Sequence, residues 1–312
     1  MISSQVESVA ADTGHDFVPG DDYFGGLNQP FGPVCLDLGI GPLRMRLDGL
    51  SPRQAEQMRW RFRPFVAQTS GVPDVSIGLR HAGVPGFLRT PTGGRAEIYR
   101  LESRARTDGR MLWSYEFAAT VEAAGRRALL ALVRAEGPLF DRGLENFLRI
   151  LTASHILESG GFLLHASGVV RAGRAYVFFG PSGSGKTTVT HLSPGDQVLS
   201  DDLTLVVRTR GRYEAAGIPF GMAHHRVPDT SGSFPIASLN RLVQSREVRR
   251  EPLAGARAVA EVASSLPFVM QQAGEADRAV EVVARALPEI PVYRLHFRRD
   301  ASFWDVVEEK RG

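Results

Sequence analysis

The chain has 312 residues, of which 43% are hydrophobic and 23% are charged, and its formal net charge is +3. This composition is ordinary for a globular protein, and the length suits one large domain or two smaller ones. No apolar run approaches the ~20 residues of a membrane span and no leader is visible, so we expect no membrane partner. The arginines are scattered without interleaved aromatic residues, which argues against a nucleic-acid partner. A single cysteine, Cys35, excludes an internal disulfide, and we expect a cytoplasmic protein.

The first half of the chain is predicted to hold a tail and a small domain. Residues 1–24 carry five acids and neither lysine nor arginine, which is typical of a mobile acidic tail. Alternating apolar residues predict a strand hairpin within residues 34–47, and Ser51-Pro52 then predicts a helix that runs to about Phe62. Weaker strands are expected near Ala96–Leu101, Met111–Phe117 and Ala128–Val133. Residues 25–135 are therefore predicted to form a smaller antiparallel α+β domain.

Residues 136–312 show a mixture of helical and strand periodicities. The inner face of the second of two amphipathic helices is expected to consist of Ala276, Val280, Val283, Ala284 and Leu287. The predicted elements are a helix at Leu139–Leu157, strands at Phe162–Val170, Ala175–Phe179, Gln197–Ser200, Leu203–Val207 and Tyr213–Ala216, helices at Gly255–Ser265 and Glu275–Leu287, a strand at Val292–Phe297 and a closing helix at Phe303–Val307.

A phosphate-binding pattern follows the strand Ala175–Phe179. Gly180 opens G-x-x-x-x-G-K-T, which ends at Gly185, Lys186 and Thr187. Glycines let backbone N–H groups curl around phosphate oxygens, Lys186 supplies a point charge, and the Thr187 hydroxyl can ligate Mg²⁺. The pattern predicts a nucleoside triphosphate site, with ATP and Mg²⁺ as cofactors. The residues predicted to contact the nucleotide are Gly180, Ser182, Gly183, Ser184, Gly185, Lys186, Thr187 and Thr188.

Lysine usage supports this interpretation. Lys186 and Lys310 are the two lysines of the chain, beside 35 arginines. In such a chain a lysine indicates a position where a planar guanidinium cannot replace a compact charge. The alternative, a Gly/Ser-rich surface loop, is disfavoured because the full pattern arises by chance in roughly 0.2% of chains of this composition.

Two acids and a histidine are candidate catalytic residues. Asp201 and Asp202 follow Lys186 by 15 and 16 residues, at the end of an apolar strand. Adjacent side chains at a strand end point in different directions, so one carboxylate can hold Mg²⁺ while the other faces an acceptor hydroxyl. An acidic turn without function is the alternative. His165 lies mid-strand next to the loop-bearing strand, where a lone histidine is more often a core residue.

The segment from Phe162 to Val207 resembles the HPr kinase/phosphorylase and ATP-type PEP carboxykinase superfamily. The similarity lies in an L-H-A-S strand, G-P-S-G-S-G-K-T-T, a very short helix and V-L-S-D-D. The resemblance implies an HPr-kinase-like P-loop core that binds ATP. It also implies a catalytic base at Asp201, metal contact by Asp202 and Thr187, and a place in the site for His165 beside Lys186.

We therefore predict an α+β or α/β fold and an Mg-ATP-dependent kinase that phosphorylates a hydroxyl, of a serine on a peptide or protein. A kinase for serine or a sugar-like alcohol and a nucleotide-sensing scaffold without phosphoryl transfer remain open, as does homo-oligomer formation. A peptide substrate is favoured by an arginine strip that suits an acidic partner, although a solvated helix face is the alternative interpretation. The strip consists of Arg241, Arg246, Arg249, Arg250 and Arg257, after a predicted loop at residues 217–235.

Overall fold

A computed structural model of the chain describes residues 17–67, 71–88, 99–220, 231–272 and 274–308. The fold is mixed α/β with two sheets, which confirms the predicted class at that level. The helices are α1 (Asp21–Gly25), α2 (Pro52–Arg61), α3 (Pro138–Glu158), α4 (Lys186–His191), α5 (Gly255–Ala263), α6 (Glu275–Ala286) and α7 (Phe303–Glu308). The strands are β1 (Val34–Ile40), β2 (Leu43–Leu50), β3 (Val75–His81), β4 (Glu102–Arg106), β5 (Gly109–Trp113), β6 (Phe117–Glu122), β7 (Arg127–Leu132), β8 (Phe162–Arg171), β9 (Arg174–Phe179), β10 (Gln197–Ser200), β11 (Leu203–Thr209), β12 (Arg212–Gly217), β13 (Ser233–Gln244), β14 (Arg249–Pro252) and β15 (Val292–Phe297).

The first sheet has the order β1-β2-β3-β7-β6-β5-β4. The predicted hairpin is confirmed by the antiparallel pairing of β1 with β2, and α2 begins with the capping box between Ser51 and Gln54. The prediction of an antiparallel domain is wrong, because β2 pairs with β3 and β3 with β7 in parallel. A helix between β2 and β3 carries the chain back across the sheet, and such a crossover makes the next strand parallel.

Two weaker strand predictions in this sheet also need correction. The predicted strand Met111–Phe117 is two strands, because β5 ends at Trp113 and β6 begins at Phe117 after a turn. Half of the predicted strand Ala96–Leu101 lies outside the described residues, its described half is not in a strand, and β4 begins just after it at Glu102.

The second sheet is built around strands that change partner along their length. β8 pairs with β11 up to His165 and with β9 from Ala166 onward. β13 pairs first with β12 and then, in parallel, with β9 and β15. The sequence interpretation missed β13, because it carries Pro235 and the buried polar residues Ser238 and Asn240 instead of a clean apolar alternation.

Helix α3 lies at the centre of the core. It contacts β2, β6 and β7 of the first sheet and β8 of the second, and the predicted helix at Leu139–Leu157 is confirmed. Every residue from Gly143 to Ser154 is buried, as expected for a helix surrounded by packed elements. The largest cluster of buried apolar side chains therefore draws on both sheets.

The inner face of α6 differs from the prediction. Val280 and Ala284 are exposed, whereas Ala279, Val282 and Ala286 are buried. Val283 of the predicted face is buried, and Ala276 and Leu287 are half-buried, so the prediction is wrong at Val280 and Ala284 only.

The domain boundaries at residues 24 and 135 stay a prediction. Residues 1–16 of the predicted tail lie outside the described residues, and Asp21–Gly25 forms α1 with Phe24 buried. Among the described residues, the helices are all too short or too polar to cross a membrane.

Candidate functional site

The predicted phosphate loop connects β9 to α4 as a tight turn. Gly180, Gly183 and Gly185 all have positive φ angles, of 151°, 76° and 109°. A Cβ on Gly185 would overlap the ring of Phe297, while the space where a Cβ on Gly183 would point is open. The backbone at Gly183 is thus accessible to a ligand, as a phosphate cradle requires.

Lys186 is folded back onto the loop. Its side chain is buried, and Nζ donates hydrogen bonds to the carbonyl oxygens of Gly180 at 2.9 Å and Pro181 at 3.2 Å. Burial lowers the pKa of the ammonium, the charge of Asp202 opposes this, and Arg241 lowers the pKa further. The cation is therefore held at the mouth of the loop.

The other predicted loop residues differ in exposure. Ser182 and Thr187 are exposed, Thr188 is half-buried, and Ser184 is buried. Among the described residues, Ser184 is notable because its Oγ is buried without a hydrogen-bond partner. A buried hydroxyl without a partner is costly, and a phosphate oxygen would satisfy it. The loop residues therefore fit a bound phosphate group.

The predicted acidic pair lies in the turn between β10 and β11. Ser200 Oγ accepts hydrogen bonds from the N–H groups of Asp202 at 3.1 Å and Leu203 at 3.0 Å, which fixes the turn. The Asp202 carbonyl accepts from the N–H of Ala166 at 2.9 Å, and the Asp201 carbonyl accepts from Ser167 Oγ at 3.4 Å. The turn is thus held against β8, beside the loop.

His165 joins this turn to the loop. Asp202 Oδ1 lies 3.3 Å from His165 Nε2. His165 is the residue at which β8 leaves β11 and joins β9, so it lies between the acidic turn and the start of the phosphate loop. The structure brings together Lys186, Asp202 and His165, whereas the base role of Asp201 stays a prediction.

A cavity of about 410 Å³ opens beside the loop. The sequence interpretation missed its far wall, because that wall depends on the unrecognised strand β13 and on the end of α5. The lining residues are His165, Gly180, Pro181, Ser182, Arg241, Ser264, Ser265, Leu266 and Pro267.

The magnesium ligands Thr187 and Asp202 stay a prediction. Among the described residues there is no group of three or more His, Cys, Asp or Glu side chains placed to hold a metal ion. Mg²⁺ in nucleotide sites is held by one or two protein ligands together with substrate phosphates. Thr187 and Asp202 would hold it, and it would neutralise charge on the phosphates.

The five arginines of the predicted strip are spread over several elements. Its members lie on β13, the turn that follows, β14 and α5, so they do not form a helix face. Arg241 pairs with Glu261 and Arg249 with Glu251, at 2.8 and 2.7 Å, and Arg250 stacks on a tyrosine ring of β15. Three of the five arginines are therefore engaged within the fold. The neighbouring residues 221–230, with His224 and His225, lie outside the described residues.

Comparison with models of known families shows to which family the chain belongs. The model of the family described as SynChlorMet cassette protein ScmC matches residues 145–310, just over half of the chain. The chain belongs to the ScmC family. The match begins within α3 and covers the phosphate loop, the acidic turn, β13 and the closing helix. No functionally curated protein is similar enough in sequence to match the chain.

The ScmC match corrects the resemblance to the HPr kinase/phosphorylase superfamily, which is wrong as a family assignment. The motifs behind it follow from chemistry. A glycine-rich loop with a lysine, followed by carboxylates at a strand end, is what phosphate and Mg²⁺ binding require in unrelated families. In this chain these motifs therefore do not by themselves identify ancestry.

Proposed function

We propose that the chain binds Mg-ATP in a P-loop nucleotide-binding core and transfers the terminal phosphoryl group to a hydroxyl. The observation that carries the proposal is the convergence of Lys186, Asp202 and His165 beside the glycine loop. A lysine, a carboxylate and accessible loop N–H groups are the parts that phosphoryl transfer requires.

Each residue has a distinct task in this proposal. Lys186 leaves its two loop carbonyls to contact the phosphates, and Thr187 and Asp202 hold Mg²⁺. Asp201 accepts the proton of the acceptor hydroxyl. His165 pairs with Asp202 and keeps its carboxylate directed at the site. The roles agree with the positions of these side chains at one edge of the second sheet.

A serine of a peptide or protein remains the proposed acceptor. Its support is the partial exposure of His165 at the cavity, which leaves the site accessible from solvent. The arginine strip gives this acceptor less support, because three of its five members are engaged within the fold. Cys35 is free and exposed, which suits the cytoplasmic location that we propose.

Calorimetry with Mg-ATP tests nucleotide binding first. Lys186→Ala is expected to lose about 10- to 150-fold in affinity, because a charge-assisted contact to phosphate is worth about 1.5–3 kcal/mol. Arg174→Ala is the matched control, since Arg174 is an exposed cation at the first residue of β9, the far end of the strand from the loop. Equal affinities of wild type and Lys186→Ala would contradict the assignment of the loop.

Phosphoryl transfer is tested with ATP labelled in its terminal phosphate, incubated with a peptide fraction, a protein fraction and free serine. Label on peptide or protein that is absent with Lys186→Ala supports the kinase. Label on free serine at an equal rate would favour the small-molecule kinase. Binding without transfer to any fraction would favour the nucleotide-sensing scaffold.

A further inference from the structure

Arg241 stands beside the first residue of the phosphate loop because β13 runs parallel to β9. In this register Arg241 is the partner of Phe179, the residue before Gly180. Parallel strands bring their carboxyl ends to the same edge of a sheet, and ligands of such sheets bind there. The sheet therefore places an arginine at the loop that is far from it in sequence.

The guanidinium of Arg241 lies close to the loop backbone. A Cβ on Gly180 would come 3.0 Å from Arg241 Nη1. Lys186 donates to the carbonyl of the same glycine, so two cations share one side of the loop. Like charges at short range repel each other, and an anion bound between them removes the repulsion.

Glu261 of α5 holds the arginine in place. Arg241 Nε donates to Glu261 Oε2 at 2.8 Å, and Nη1 donates to the Leu242 carbonyl at 2.7 Å. The other carboxylate oxygen of Glu261 accepts from Arg294 Nη2 at 3.1 Å. In the described part of the chain Nη2 of Arg241 has no hydrogen bond of its own. The guanidinium is thus oriented by two contacts and keeps one donor group for a ligand.

The same arginine lines the cavity beside the loop. Among the described lining residues it is the one arginine, and the others are loop residues, His165 and the segment Ser264–Pro267. A ligand that extends from the loop into this cavity therefore passes Arg241.

We propose that Arg241 binds the terminal phosphoryl group of the nucleotide through Nη2 and that Glu261 is the positioning residue that holds it. The inference rests on the proposed function. In the transfer, the acceptor oxygen forms the new bond to phosphorus while the bond from phosphorus to the bridging oxygen of ADP breaks. The acceptor proton passes to an aspartate carboxylate, and ADP leaves. Arg241 contacts charge that ATP carries and ADP lacks.

The test compares the affinities of Mg-ATP and Mg-ADP by calorimetry. Arg241→Gln is expected to lower ATP affinity by about 10-fold or more while ADP affinity changes by less than about twofold, because the lost contact is charge-assisted and specific to the terminal phosphate. Glu261→Gln is expected to lower ATP affinity by a smaller factor with ADP again unchanged. Arg249→Gln, on β14, which is separated from β13 by β15, is the control and should leave both affinities unchanged.

Arg241→Lys guards against a folding defect, because it keeps the charge in a similar volume. It should retain part of the preference for ATP, and thermal unfolding should show each variant to be folded. Equal loss of ATP and ADP affinity in Arg241→Gln, or no loss of either, would overturn the inference. The proposed function would still stand if wild type bound ATP and Lys186→Ala bound it more weakly. A wild-type protein that binds neither nucleotide would overturn both.

Discussion

Asp202 Oδ1 lies 3.3 Å from His165 Nε2. His165 is on β8, and Asp202 ends the turn before β11, whose register sets Leu203 opposite His165. The charge of Asp202 also acts on Lys186, so this carboxylate is the point at which the acidic turn, the histidine and the phosphate loop meet. The pairing distinguishes Asp202 from Asp201, and the proposed roles of the two carboxylates can be separated by experiment.

Asp202→Asn is expected to raise the Mg²⁺ concentration needed for half-maximal activity, because a carboxylate ligand is lost. Asp201→Asn is expected to abolish turnover with ATP affinity nearly intact, because a base acts on the acceptor and not on the nucleotide. Turnover across a Mg²⁺ titration and calorimetry with ATP check both. If Asp201→Asn turned over at the wild-type rate, Asp201 would be excluded as the base. If Asp202→Asn lost turnover at every Mg²⁺ concentration, Asp202 would be assigned as the base and Asp201 as the metal ligand.

Alanine substitutions at three glycines with positive φ distinguish the cost of backbone strain from the loss of a ligand contact. Gly185→Ala is expected to cost the most folding free energy, because the new methyl group overlaps the Phe297 ring. Gly183→Ala and Gly195→Ala face open space and should each cost about 1–2 kcal/mol from the left-handed backbone alone. Of these two, we expect Gly183→Ala alone to weaken ATP binding, since Gly195 lies in a turn beyond α4. Urea unfolding and calorimetry measure both effects, and equal ATP affinity in the Gly183 and Gly195 variants would contradict a phosphate cradle at Gly183.

Arg250 and Arg249 are adjacent in sequence but are expected to contribute differently to the stability of the fold. The guanidinium of Arg250 lies 3.5 Å from the centre of the Tyr293 ring, and Nη1 donates to the Val307 carbonyl at 2.8 Å. Arg249 is exposed and pairs with Glu251. Arg250→Ala is therefore expected to lower the free energy of unfolding by about 1–3 kcal/mol, and Arg249→Ala by less than about 1 kcal/mol. Urea unfolding compares them, and equal effects would show that the stacking and the closing hydrogen bond add nothing.

Glu145 makes the stability of the core depend on pH. It lies between Arg61 of α2 and Arg149 of α3, near Asp141, and burial raises its pKa from the ordinary 4.5 to about 7 against the pull of both arginines. The folded chain then keeps a proton that the unfolded chain loses, so this residue lowers stability as the pH rises from about 4.5 to about 7.

Glu145→Gln removes this titration while keeping the size of the side chain. Relative to wild type, the free energy of unfolding of this variant should therefore fall less, or rise more, when the pH is raised from 5 to 8. Urea unfolding at the two pH values measures it. Glu56→Gln, exposed on α2, is the control and should follow wild type. A Glu145→Gln variant with the same pH dependence as wild type would contradict the raised pKa.

Local features of the fold were predictable because their causes lie within a few residues. The capping box at Ser51 and Gln54, the hairpin of β1 and β2 and the short helix after the loop each follow from neighbouring side chains and backbone preferences. The same holds for the phosphate loop and the acidic turn, where the spacing of residue types reflects the chemistry of one ligand.

The remaining features depend on contacts between distant segments. The sequence by itself determined which residues could bind phosphate and Mg²⁺. Tertiary structure decided that β13 lies parallel to β9, that this register brings Arg241 to Gly180, and that His165 meets Asp202 where β8 changes partner. Register and strand order are set by the packing of whole sheets around α3, and no pattern within one segment contains that information.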